Sequence, residues 1–219
     1  MTATAAVPAA QGNANWRRFR RNPGAMIGLV LLILLVVAAL VGPALTGDPA
    51  AQNLGIRLNA PSGTHALGTD QLGRDVLARV LNGARISLGL GVSVMLASLL
   101  IGSAVGLIAG LRGGWTDEAL MRVTDVFLAF PSLILAMAIS AALGPSLTNV
   151  MIAVALVSWP TYARLIRAQV LALREREFVE AARALGAGQS RIAARHLLPN
   201  AVAPLLVQGS FDVGSAILT

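Results

Sequence analysis

Few side chains in this sequence are equipped for chemistry, and those that are stand alone. Its 17 Lys+Arg residues are all arginine, so no lysine can sit on the β- and γ-phosphates of a Walker A loop or form a Schiff base. With no cysteine, disulfides, thiolate nucleophiles and thiolate metal sites are excluded. The two histidines, His65 and His196, lie far apart without an HExxH motif or a carboxylate cluster around either. They read as loop or interfacial residues, so no metal site and no catalytic residue is expected. One acid, Asp212, lies well inside an apolar run, roughly 18–20 Å along a helix from Pro199 at 1.5 Å per residue. Placing a carboxylate there costs about 2.5–3.5 kcal/mol on insertion scales, so it should face the protein interior, water or a partner helix.

Those residues sit in an unusual background. Hydrophobic residues make up 56% and charged residues 12% of the chain, and the mean hydropathy is +0.72. Much of the surface must then face lipid, which predicts an all-α, polytopic transmembrane helical bundle. The polar exception is the Arg-rich stretch 174–199. Leu173 to Leu185 contains good helix formers and no proline, so the preceding span is expected to continue through it as a helix. Gly186 and Gly188 permit a turn, Ser190 can cap a second short helix over Arg191–Leu198, and Pro199 ends it. The result would be a compact helix–turn–helix knob. Ala181 and Ala182 would give it a surface without bulk, and Glu180 with the surrounding arginines would supply directional charge pairs.

The elements that position these residues follow from hydropathy. Residues 1–24 form an N-terminal tail, with Met1–Asn15 expected to be disordered. Residues 25–45 make a first span, long enough for a ~30 Å hydrocarbon core and longer than a cleaved signal peptide's apolar region. A polar segment over 46–85 follows, with a short amphipathic helix expected over Leu72–Leu81 from Leu72, Val76, Leu77 and Val80. The remainder, 86–219, reads as a core with spans over about 86–111, 123–143, 150–173 and 201–219. No polar flank follows Thr219, so the sequence is expected to stop inside its fifth helix.

Orientation comes from the arginines, since basic loops stay cytoplasmic. A cytoplasmic N-terminus places Arg17, Arg18, Arg20, Arg21, Arg112, Arg122, Arg164, Arg167, Arg174, Arg176, Arg183, Arg191 and Arg195 on or near the inner face. It leaves Arg57, Arg74, Arg79 and Arg85 outside. Gly102, Gly106 and Gly110 recur every fourth residue and should form one helix-contact stripe. Pro131 and Pro160 are expected to kink spans three and four, either for packing or to line a pathway. Trp159 and Tyr162 beside Pro160 read either as interfacial anchors or as pathway walls.

Glu180-Ala181-Ala182, three residues, Gly186, nine residues, His196, one residue, then Leu198-Pro199 resembles the EAA loop of bacterial ABC-importer permeases. In that family isoleucine stands where His196 does. Gly68-Thr69-Asp70-Gln71-Leu72-Gly73-Arg74-Asp75-Val76, followed by Gly83-Ala84-Arg85-Ile86-Ser87-Leu88, resembles the external segment of permeases from the dipeptide, oligopeptide and nickel branch. The stretch Asp125–Pro131 is similar to the same group. The resemblance runs from about Arg17 to Thr219, and the pairing of an external GTDQLGRD with an EAA…LP loop is its most specific marker.

What the resemblance implies is a type I importer permease in the bacterial inner membrane, multi-pass, with six spans as the family pattern. It implies a second homologous permease, two cytoplasmic ATPase subunits carrying ATP and Mg, and an external substrate-binding protein, with no cofactor on this chain and no nucleic-acid partner. Glu180, Ala181, Ala182, Gly186, His196, Leu198 and Pro199 become the expected ATPase-coupling residues. Gly68, Thr69, Asp70, Gly73, Arg74 and Asp75 become the external family segment. Asp212 and Pro160 are expected either at the pathway or partner contact or in packing. The substrate class is di- or oligopeptides, with nickel or another small solute as the alternative. An ion-coupled secondary transporter would normally show several polar residues inside its spans, where only Asp212 qualifies clearly. An intramembrane hydrolase would need a Ser/His/Asp, paired-Asp or His-metal constellation, which is not visible.

Overall fold

Asn22 and Pro23 start the first long helix. The Asn22 side-chain oxygen accepts the Ala25 N–H at 3.2 Å, and Pro23 occupies a first-turn position where its missing donor costs nothing. Helix α1 runs Pro23–Leu45. The structure, a computed structural model, describes residues 16–17 and 19–218. The tail expected over Met1–Asn15, together with Arg18 and Thr219, lies outside the described residues.

The remaining helices are α2 Val76–Arg112, α3 Gly114–Leu128, α4 Ser132–Leu143, α5 Leu147–Leu173, α6 Glu177–Ala184, α7 Gln189–Ile192 and α8 Leu198–Leu218. A 3₁₀ turn spans Leu54–Ile56, and a π-helical turn spans Ala193–Leu197. The fold is all-α: among the described residues the only β pairing is one Thr69–Asp75 bridge. By length and composition, α1, α2 and α5 can each cross a membrane. The pair α3 and α4, bent by 88°, makes a fourth crossing if it is one span.

Three elements differ from the expected ones. The surface helix expected over Leu72–Leu81 is not separate; α2 begins at Val76 and continues for 37 residues, because Gly83 and Gly89 weaken a helix by only about 1 kcal/mol each and no proline intervenes. The span expected over 123–143 is broken at Ala129–Pro131. Pro131 stands at the N-cap of α4, where a proline can begin a helix but could not continue one. Helix α5 passes through Pro160 and stops at Leu173 instead of continuing into the Arg-rich stretch.

The chain divides into two compact units, Met1–Ile86 and Ser87–Thr219. In the first, α1 buries only Ala39 and Gly42. A Cβ on Gly42 would lie 2.8 Å from both terminal methyls of Leu81, so the absent side chain sets that contact. The rest of α1 presents exposed leucine, isoleucine and valine, a surface suited to hydrocarbon.

The second unit is built on α5. A Cβ on Gly102 would lie 2.5 Å from the Trp159 carbonyl oxygen, one on Gly106 2.3 Å from the Ala163 oxygen, and one on Gly110 2.7 Å from a Val170 methyl. The stripe read in the sequence is thus the α2–α5 contact, made at backbone distance. Ser98 Oγ donates to the Ala155 oxygen at 3.3 Å across the same seam. Trp159 and Tyr162 are buried, neither anchors nor exposed walls: Tyr162 Cβ fills the space Gly102 leaves, and Trp159 meets Phe127 edge-on at 5.4 Å. Tyr162, Ile166, Val170, Val179, Ile192, Leu197, Ala201 and Leu205 form the buried cluster that ties α5, the Arg-rich stretch and α8 together.

Candidate functional site

The Arg-rich stretch folds as a knob whose inner face is packed and whose outer face is open. Arg174 caps α5 through its N–H to the Val170 oxygen at 2.9 Å, and its guanidinium donates to the Gly110 oxygen at 3.4 Å. After Arg176 the chain re-enters a helix, α6. Gly186 ends it by a Schellman closure: the Gly186 N–H bonds the Arg183 oxygen at 2.9 Å and the Ala187 N–H bonds the Ala182 oxygen at 3.0 Å. Gly186 has φ +79° and no atom within 4 Å of a Cβ built there. Glycine is required here for backbone conformation and not for space.

Helix α7 begins at Gln189 with Gly188 at its N-cap, so Ser190 lies inside the helix and does not cap it. The chain then widens into the π turn Ala193–Leu197, immediately ahead of Pro199. Pro199 has no N–H to offer the Arg195 oxygen, and a wider turn accommodates that lost bond. The Asn200 side chain donates to the His196 oxygen at 2.6 Å.

Val179, Ile192 and Leu197 are buried beneath the knob, each stabilising it by about 1.5–3 kcal/mol. Of the expected coupling residues, Glu180, Ala181, Gly186 and Pro199 are exposed, and Ala182, His196 and Leu198 are half-buried. Ala182 packs against the core, so it backs the knob, and only Ala181 offers a small outward surface. His196, half-buried, stands 6.2 Å from the Phe178 ring. The exposed apolar groups are instead Phe178 and Leu185, the latter 89% exposed. Among the described residues no ion pair engages Glu180, Arg176, Arg183, Arg191 or Arg195.

Two ion pairs that sequence reasoning missed hold α3 to α5. Arg167 binds Asp117 with both carboxylate oxygens engaged, at 2.5 and 2.7 Å, and Arg164 meets Asp125 at 2.6 Å. The signal was present: two arginines inside a mostly apolar helix need counter-charges, and Asp117 and Asp125 lie about two turns apart on α3.

Asp212 lies half-buried on the wall of a cavity of about 610 Å³ between α2, α4, α5 and α8. Gln208, one turn earlier, donates to Asp212 Oδ1 at 2.9 Å, and the buried Tyr162 hydroxyl lies beside the carboxylate. Pro160 is fully buried and is not among the residues lining that cavity.

The residues of the 68–75 family segment form a self-bonded knot. Asp70 accepts from the Leu72 N–H at 2.8 Å, the Arg74 N–H at 3.0 Å and Arg74 Nε at 2.8 Å, and also pairs with Arg79. Desolvation pushes the Asp70 carboxyl up, but the Arg74 and Leu72 N–H groups and the Arg74 guanidinium outweigh it and hold it well below the usual carboxylate range. Asp75 accepts the Ala78 N–H at 3.0 Å at the start of α2 and lies 2.8 Å from His65 Nδ1; these two partners lower its pKa, the Ala78 bond foremost. Thr69 is buried, donating to the Ile56 oxygen and accepting the Asn59 N–H at 3.0 Å. Gly68 and Gly73 adopt φ +74° and +70°, and a Cβ on Gly73 would sit 1.8 Å from the Asn53 oxygen. These residues shape the loop from within.

Comparison with known proteins agrees with this architecture. Residues 102–219 match the family model described as binding-protein-dependent transport system inner membrane component, and residues 12–61 match the N-terminal TM domain of oligopeptide transport permease C. The chain is 43% identical over 204 residues to a dipeptide transport system permease protein of Alkalihalophilus pseudofirmus, covering 93% of this chain and 67% of that protein. It is 45% identical over 210 residues to a di/tripeptide transport system permease protein of Pseudomonas aeruginosa, covering 93% and 69%. It is 40% identical over 206 residues to a glutathione transport system permease protein of Pectobacterium atrosepticum, covering 93% and 68%. With a helical core, a knob built on the EAA-to-LP spacing and similarity along nearly its whole length, the chain belongs to the binding-protein-dependent inner-membrane permeases of ABC importers.

Proposed function

We propose that this chain is the membrane-spanning permease subunit of an ATP-driven importer of di- and oligopeptides. In this reading it supplies half of the translocation pathway and pairs with a second, homologous permease. It receives substrate from an external binding protein and takes its motion from two cytoplasmic ATPases that carry ATP and Mg. The arginine distribution orients the N-terminus and the knob toward the cytoplasm. The peptide class is supported by the relatives named for dipeptide and di/tripeptide transport.

The observation that carries the reading is the knob itself. Its inner face is fixed by Val179, Ile192 and Leu197, while Glu180, Ala181 and Gly186 stay exposed on its outer side. A small, charged, rigidly backed protrusion is what a groove on a neighbouring subunit can grip and move. ATP-driven closure of the ATPases would carry the knobs and switch the paired permeases between inward- and outward-facing states. In the complete transporter, Glu180→Arg and Gly186→Pro should leave the protein in the membrane and ATP hydrolysis running, with uptake per ATP reduced more than about tenfold, the scale of a reversed interface charge. Normal uptake by both variants would remove the coupling role.

A further inference from the structure

The cavity between α2, α4, α5 and α8 has a composition that selects its occupant. Its volume is about 610 Å³, within the range of small-molecule sites, and its wall is largely apolar. Among the described residues Asp212 is the only charged one in that wall, and no arginine lines it. Hydroxyls of Ser98, Ser132, Ser140 and Ser158 supply the remaining polarity together with Ser215. Gln208 Nε2 donates to one carboxylate oxygen and orients the carboxylate without neutralising it.

A lone carboxylate in apolar surroundings attracts cations and repels anions, and its field is stronger there than in bulk water. A single charge of this kind serves passage better than a cage of ligands, because a permeating group must be attracted and then released. We propose that Asp212 is a cation-recognition subsite that takes the ammonium group of a passing solute, with the serine-lined apolar wall accommodating its uncharged body. Resting on the permease reading above, this narrows the substrate class to solutes of dipeptide to tripeptide size with a free amino group.

The chain has no cysteine, so one introduced at Ser140 reports on the cavity without background. In the complete, reconstituted transporter, Ser140→Cys should react about tenfold faster with a cationic than with an anionic methanethiosulfonate, after correction for their rates with a free thiol. Asp212→Asn should bring that ratio near one, and Asp212→Glu should retain it. Dialanine should slow labelling in the protein with Asp212, whereas N-acetyl-dialanine should not. A charge ratio indifferent to position 212, a thiol that neither reagent reaches, absent protection by dialanine, or equal protection by both peptides would each overturn the subsite. Labelling reads the cavity and not the ATPase, so its failure is distinct from failure of the coupling role. Co-purification of the ATPase subunits with the Asp212→Asn variant checks that it is assembled.

Discussion

Asp70 shows how one carboxylate can organise a loop. It gathers two backbone N–H groups and two guanidinium groups, and its pKa is depressed as a result. A group with a depressed folded pKa contributes its full stability above the unfolded value, about 3.9, and loses it as pH falls from there through the folded value. Amide protection of Leu72 and Arg74 should therefore stay constant from neutral pH down to about 4, once intrinsic exchange is corrected, and fall below that. Hydrogen exchange checks this, and Asp70→Asn should remove most of the pH dependence, leaving the smaller part due to Asp75, whose shift has the same sign. Thr69, Gly73 and Asp75 were legible as a motif in the sequence, but their inward-facing role was not. That role depends on contacts with Asn53, Ile56, Asn59 and His65, which no local spacing encodes.

At the scale of elements, the two α3–α5 ion pairs should differ in weight. The Arg167–Asp117 pair is bidentate, with side chains 34% and 16% exposed, whereas both partners of Arg164–Asp125 are 53% exposed. Arg167→Met should cost about 1.5–3 kcal/mol and Arg164→Met under about 1 kcal/mol, measured by unfolding in detergent. Exchanging the charges, Asp117→Arg with Arg167→Asp, should recover much of the first loss. The helices themselves were largely readable from hydropathy, and the contact stripe on α2 from glycine spacing, whereas its partner α5 was not. Pro131 marked where span three bends, but not that the bend is a full break of 88°, and the separate start of α6 was not readable, because each depends on where a chain must change direction to satisfy tertiary contacts. Gly186 falls between these cases. Its turn was read correctly, and its necessity comes from the left-handed φ that a Schellman closure imposes, a penalty of roughly 1–2 kcal/mol for other residues.

For the whole molecule, the proposed orientation places the knob and the Asp70 loop on opposite sides of the membrane. Single cysteines at Ala181 and at Ser62, an exposed loop residue, should label from opposite faces with a membrane-impermeant maleimide. Ala181 should react only when the cytoplasmic side is presented. Reaction of both from one side would reverse or abolish the assigned topology.

The glycine seam also limits how such a protein can move. Because Gly102, Gly106 and Gly110 meet the backbone or Cβ atoms of α5, a slide of one helix along the other would drive neighbouring side chains into main-chain atoms. Helices α2 and α5 should then travel as a single body, which disfavours shear between them. Compliance is left to the Ala129–Pro131 break, a hinge one element away from the helix in which the knob is rooted.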